Sequence, residues 1–185
     1  MNRPTVTWTL THLLRVMTAC QIAAGWYSAA SHPLAAATAA LRRWEALGLV
    51  RTFRASFVKL DLERPLVNWL PTTQRQASPP FEQIAYQLRR RWAQPLTSSL
   101  CVVATDEARR RYGGHVCPPR EIELGHDVAL ASVWERVRSR DERLSRRWVP
   151  EDQLYAEGHG RGGDKLPDAV IRSGAWHVVE MGGNY

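Results

Sequence analysis

Two short apolar runs late in the chain each carry one carboxylate. Pro167-Asp168-Ala169-Val170-Ile171 comes first, a Ser173-Gly174 turn follows, and Trp176-His177-Val178-Val179-Glu180-Met181-Gly182-Gly183 completes the pair. Read as a hairpin with the loop Arg172-Ser173-Gly174, the register sets Asp168 opposite Val178. Glu180 then lies one diagonal step away on the same face. Two carboxylates placed so could hold a divalent ion such as Mg²⁺ through oxygen ligands. Such an ion stabilises the charge that builds up when a phosphodiester is attacked.

The order Pro-Asp, then Glu at the end of the next strand, resembles the signature of the PD-(D/E)xK nuclease superfamily. The resemblance implies Asp168 and Glu180 as catalytic and metal-binding residues. It adds a carboxylate from the preceding helix, for which Glu123 or Asp127 could serve. The lysine of that signature is missing, because its position is Gly182. That lysine adds charge stabilisation and positions the water, and glycine does neither, so this half is expected to be inactive. Lys165 could move into the role from the loop before the strand.

Other chemistry is weaker. His115, Cys117 and His126 match no paired zinc spacing. His126-Asp127 reads as a polar pair facing the carboxylates, or as a helix cap. The glycine-rich stretch 158–163 lacks the Gly-Lys-Ser/Thr ending of a phosphate-binding loop, and reads as a hairpin tip that could lie over DNA.

The elements before the hairpin have to position it. Leu10, Leu13, Leu14 and Met17 have helical spacing. Thr18 can cap a second helix over Ala19 to Trp26. Ser31 or His32 precedes Pro33, which suits the first turn of a third helix. That helix points Leu34, Ala37, Leu41, Trp44 and Leu47 inward and Ala35, Ala36, Ala39 and Ala40 outward, and Gly48 ends it. Leu49 to Phe57 reads as a strand, with Val58 to Leu62 as its possible partner. The prolines and polar run of residues 65–80 read as a linker. A helix follows with Phe81, Ile84, Ala85, Leu88 and Trp92 inward. Leu100 to Ala104 reads as a short strand and Asp106 to Tyr112 as a helix. Residues 121–147 read as one long, arginine-rich helix that includes Ile122, with a strand between Trp148 and Ala156.

The chain has 185 residues and is 44% hydrophobic, enough for a packed core. Its 25 Lys and Arg outnumber 18 Asp and Glu for a net charge of +7, which favours an anionic partner, nucleic acid above all. All but Lys59 and Lys165 of the basic residues are arginine, the side chain whose fixed fork fits phosphate. Three scattered cysteines argue against a disulfide framework and fit a reducing cytoplasm. No apolar run reaches membrane-spanning length, so no membrane partner is expected.

The N-terminal order of helix, helix, long helix, Gly-Leu-Val-Arg and strand pair resembles a winged helix-turn-helix domain. Leu41-Arg42-Arg43-Trp44-Glu45-Ala46-Leu47-Gly48-Leu49-Val50-Arg51 is similar to its recognition-helix-to-wing junction. An alanine-rich helix cannot make bidentate base contacts, whereas Arg42, Arg43, Arg51 and Arg54 can reach phosphates. The expectation is backbone-dominated, weakly selective binding of double-stranded DNA.

Taken together, the chain resembles the replication-relaxation family of mobile elements such as plasmids. The segments that carry this are Leu41-Arg42-Arg43-Trp44 with Gly48-Leu49-Val50, Arg89-Arg90-Arg91-Trp92, and Glu123-Leu124-Gly125-His126-Asp127-Val128-Ala129-Leu130-Ala131. Lys165-Leu166-Pro167-Asp168-Ala169 and Val179-Glu180-Met181-Gly182-Gly183 complete it. The resemblance implies an α+β protein with a winged helix-turn-helix over 1–64, a proline-rich linker over 65–80 and an incomplete restriction-endonuclease-like α/β core over 81–185. It implies DNA binding in replication, relaxation or mobilisation. The alternatives are a Mg²⁺-dependent endonuclease and an adaptor that recruits a protein, which would complete or dock on the C-terminal sheet.

Overall fold

The computed structural model describes residues 5–60 and 81–181. Over these the chain is a mixed α+β protein with two small antiparallel sheets. Helix α1 (Val6–His12) starts where extended Thr5 accepts the Trp8 N–H. Helix α2 (Ala19–Trp26) starts at a full capping box made by Thr18 and Gln21. That box also limits α1. Thr18 must be extended to cap (ψ 156°), so Met17 and Thr18 form the short strand β1 (Met17–Thr18). The continuous helical stripe expected through Met17 is therefore corrected. Leu10, Leu13, Leu14 and Met17 all reach the core, but from a helix, a turn and a strand.

Helix α3 (Pro33–Ala46) has Pro33 in its first turn, and Gly48 takes the positive φ of 68° just past its end. Its buried stripe is Ala37, Ala40 and Leu41, with Trp44 half-buried at the margin. Leu34 and Leu47 are exposed and Ala40 is inside, which corrects the expected inward set. Small side chains let α3 lie close on α2, and the two ends of the helix run past the core.

Strand β2 (Val50–Val58) pairs along its whole length with β3 (Leu96–Ala104), from Val50↔Ala104 to Val58↔Leu96. The local partner expected at Val58–Leu62 is thus replaced by a strand from far along the chain. Residues 61–80, which include the expected linker over 65–80, lie outside the described residues. β3 is the middle strand of the order β1-β3-β2, and its second half, Cys101–Ala104, is buried on both faces. Val102 and Ala104 join one apolar cluster, Cys101 and Val103 the other. Helix α4 (Phe81–Trp92) precedes β3 and fully buries no side chain; of the face expected inward, Ile84, Leu88 and Trp92 are half-buried while Phe81 and Ala85 are exposed.

Helix α5 (Asp106–Tyr112) has the expected span and ends at Gly113, and Thr105 caps its start. The expected long helix is three pieces: a 3₁₀ turn Glu121–Glu123, α6 (Leu124–Arg140) and α7 (Glu142–Ser145). The break at Asp141 has a local cause. Its carboxylate accepts the Arg143 and Leu144 N–H groups while its backbone is extended, which starts a new helix rather than continuing the old one. Ile122, expected inward, is 89% exposed.

Strand β4 is only Trp148–Pro150, because Glu151 opens α8 (Glu151–Ala156) instead of extending the strand. Strands β5 (Ala169–Ser173) and β6 (Ala175–Val179) form the hairpin, and the sheet order is β4-β5-β6. The main core cluster joins Leu10, Ile22, Leu41 and Val102 with Trp134, Trp148 and Ile171, so residues on both sides of 61–80 share one interior. At its centre Trp134 is fully buried and donates its indole N–H to the Ser145 carbonyl at 3.2 Å. No helix among the described residues is long and apolar enough to cross a membrane.

Candidate functional site

Arg15 stands in the turn between α1 and β1, held by the buried neighbours Leu14 and Val16. Its guanidinium grips Asp152 with two nitrogens, Nε to Oδ2 at 3.0 Å and Nη2 to Oδ1 at 2.8 Å, and Nη2 also reaches Glu151 Oε2 at 2.9 Å. Nη1 lies 3.7 Å from Glu123 and 3.9 Å from Asp127. Glu151 and Asp152 occupy the first turn of α8, where carboxylates are favoured. Asp152 also accepts the Cys117 N–H at 3.1 Å. One arginine therefore ties the α1–β1 turn to α6 and α8. The Asp152 hydrogen bonds, helped by the surrounding carboxylates, hold its pKa above the ordinary arginine value.

Asp127 and His126 lie in the first turn of α6. Asp127 is buried and its Oδ2 has no hydrogen-bond partner among the described residues. Burial pushes its carboxyl up to about 6, against the pull of Arg15 and His126. His126 turns the other way, with Nε2 3.1 Å from Asp168 Oδ1. That bond raises the imidazole pKa despite burial. Burial alone would raise Asp168, but His126, the Met181 N–H at 2.6 Å and the charge of Lys165 outweigh it and leave its carboxyl below the usual value. Of the His126-Asp127 pair expected to face the carboxylates or to cap the helix, His126 meets Asp168 and Asp127 turns toward Arg15.

The hairpin register differs from the expected one. The turn centres on Gly174, at φ 90°, and the ladder runs from Ser173↔Ala175 to Ala169↔Val179. Continued by one step, it sets Asp168 level with Glu180, not with Val178. Glu180 nevertheless does not join Asp168. It is ion-paired with Lys165, the lysine from the preceding loop. Gly182 lies outside the described residues.

These carboxylates do not fit a resident divalent ion. Both Asp168 oxygens are engaged, one by His126 and one by the Met181 N–H, while Glu180 is turned to Lys165. Glu123 and Asp127 converge with Glu151 and Asp152 on a guanidinium. Among the described residues no group of three or more His, Cys, Asp or Glu could hold a metal. A cleft of about 490 Å³ opens beside the cluster, bordered by Trp92, Arg120, Ile122, Lys165 and Leu166. His126 Nε2 is on Asp168, and its Nδ1 is buried with no hydrogen-bond partner among the described residues. The arrangement is an internal latch in which one guanidinium gathers four carboxylates.

The expected DNA-contacting arginines are all on the surface. Arg42 and Arg43 are exposed on the last turns of α3, and Arg51 and Arg54 on β2. None has an ion-pair partner among the described residues. Alternation along the strand separates the last two. Arg54 shares its face with Thr52, which bonds Glu45 of α3, whereas Arg51 shares the opposite face with Phe53 and Phe57. Three of the four arginines are thus grouped on the α3 side of β2.

The sequence reading missed Arg15 as the centre of the carboxylate cluster. Its only local signal is a charged residue between apolar ones, Leu14-Arg15-Val16. No family model, no curated protein and no solved structure matches this chain.

Proposed function

We propose that the protein binds double-stranded DNA through an N-terminal winged helix, chiefly by phosphate contacts, in replication, relaxation or mobilisation of a mobile element. The observation that carries this reading is the order α1-β1-α2-α3-β2-α4-β3 with sheet order β1-β3-β2, joined to exposed arginines on α3 and β2. In this reading α3 is the recognition helix and β2–β3 the wing, whose two strands are separated in the chain by residues 59–95 with α4 among them. Arg42, Arg43 and Arg54 supply fixed forks for phosphate, and Arg51 adds charge from the other face of the wing. Ala35 and Ala39, exposed on α3, offer little to read a base with, so affinity should vary little with sequence.

The C-terminal half, in this reading, is a nuclease-like scaffold without catalysis. Arg15 and His126 occupy the carboxylates that an enzyme would turn toward metal and substrate. The link to mobile elements rests on the order of the short segments quoted above. The test is duplex binding followed by fluorescence anisotropy, with Mg²⁺ and supercoiled plasmid in a parallel cleavage assay. Salt-sensitive binding without nicking is expected. Robust nicking that Asp168→Ala abolishes would replace this reading by the endonuclease.

A further inference from the structure

The arginines of α6 and α7 play no part in the winged helix or in the carboxylate cluster. Where the two helices meet, Arg140, Arg143, Arg146 and Arg147 line an open groove of about 1000 Å³ together with Asp141 and Glu142. Both acids have internal work. Asp141 caps α7 through the Arg143 and Leu144 N–H groups, and Glu142 pairs with Arg146 at 2.8 Å. Four guanidiniums against two carboxylates leave the groove positive. Arg140 and Arg143 are exposed and have no ion-pair partner among the described residues.

The corner is also rigidly mounted. Ser145 of α7 is 1% exposed, and its carbonyl takes the indole N–H of Trp134, the buried centre of the core. Two residues before Arg140, the Arg138 guanidinium lies over the Trp26 ring at 4.0 Å and near the Trp134 ring at 5.1 Å, and bonds the Gly25 carbonyl at 2.6 Å. Arg147 is fixed to β5 through the Arg172 carbonyl and N–H. A merely solvated helix face would need no such support. The backbone that carries Arg140 and Arg143 is thereby held in place, while their own side chains stay exposed to meet an anion. No aromatic side chain lines the groove, so it lacks a platform for stacking bases and suits a backbone of phosphates.

We propose that the α6–α7 corner is a second nucleic-acid surface, which grips duplex DNA by its phosphates while the α3–β2 unit engages the same molecule. This rests on the DNA-binding reading above, and it assigns a share of the affinity to residues 140–147. It requires no base contact, so its contribution is the same on every sequence.

The experiment uses the full chain and a duplex of about 30 base pairs, with anisotropy titrations from about 50 to 200 mM salt. Three variants are compared with the parent: Arg140→Gln/Arg143→Gln, Arg140→Lys/Arg143→Lys and Arg42→Gln/Arg43→Gln. Each lost phosphate contact removes about 0.9 from the slope of log K against log salt. The first pair should therefore lower that slope by roughly 1.8, equally on unrelated sequences. The lysine pair should regain most of it, since charge is kept, and unchanged melting temperatures would show that both variants fold. If Arg140→Gln/Arg143→Gln leaves slope and affinity intact while Arg42→Gln/Arg43→Gln weakens both, the second surface is refuted and the winged-helix reading stands. If only the 140/143 pair weakens binding, the second surface stands and the α3 assignment falls. No duplex binding by the parent chain overturns both.

Discussion

At the scale of single residues, Arg15 gathers four carboxylates around one guanidinium. Its single charge faces Asp152, Glu151, Glu123 and buried Asp127, and no local pattern announces it, because its partners lie more than a hundred residues further along the chain. Arg15→Met should cost about 3 kcal/mol near neutral pH, since it strands a buried carboxylate beside three others. The cost should shrink at pH 4, where Asp127 is protonated; urea denaturation at the two pH values would check this. Glu135 gives a second pH effect. Burial lifts its carboxyl to about 7 against the attraction of Arg138. An acid whose folded pKa is raised holds its proton more tightly in the native state. Stability is therefore greatest below the unfolded value, and it falls as pH rises from about 4.5 to about 7, by no more than about 3 kcal/mol. Glu135→Gln should flatten that fall, and an unchanged pH profile would mean that the carboxylate is solvated. The pairing of His126 with Asp168 was the one part of this chemistry open to reading from the chain, through the motif order alone.

At the scale of elements, legibility followed the range of the signal. Thr18 with Gln21, Pro33 with Gly48, and Thr105 with Gly113 are local stop and start marks, and α2, α3 and α5 lie where those marks put them. β3 was half visible. Leu100 to Ala104 is apolar because both faces are covered, but Leu96 to Ser99 is strand only because β2 lies beside it. The phase of α3 was read from its large side chains, while close packing on α2 chose the small ones. Trp134 of α6 and Trp44 of α3 separate these cases. Trp134→Ala removes a fully buried side chain and its bond to Ser145, and should cost roughly 3–5 kcal/mol. Trp44→Ala sits at the core margin and should cost clearly less. Equal losses in thermal melting would show that α3 is rotated from the phase described here.

At the scale of the whole molecule, one apolar interior joins the arginine-bearing N-terminal sheet to the hairpin half, and β2, β3 and α6 each contribute to both apolar clusters. That continuity explains why the carboxylate cluster draws Arg15 from the N-terminal part and Asp152 and Asp168 from the C-terminal part. It also means that the two halves would present their arginines to DNA as one body. With a net charge of +7 and surface arginines spread over α3, β2 and the α6–α7 corner, phosphate contact is the central claim. The most direct measurement is the affinity for one duplex at two salt concentrations. If about six arginines each neutralise a phosphate, raising salt from about 50 to 200 mM should weaken binding on the order of a thousandfold, by similar factors on unrelated sequences. Affinity that is indifferent to salt, or a failure to bind duplex at the lower concentration, would contradict it.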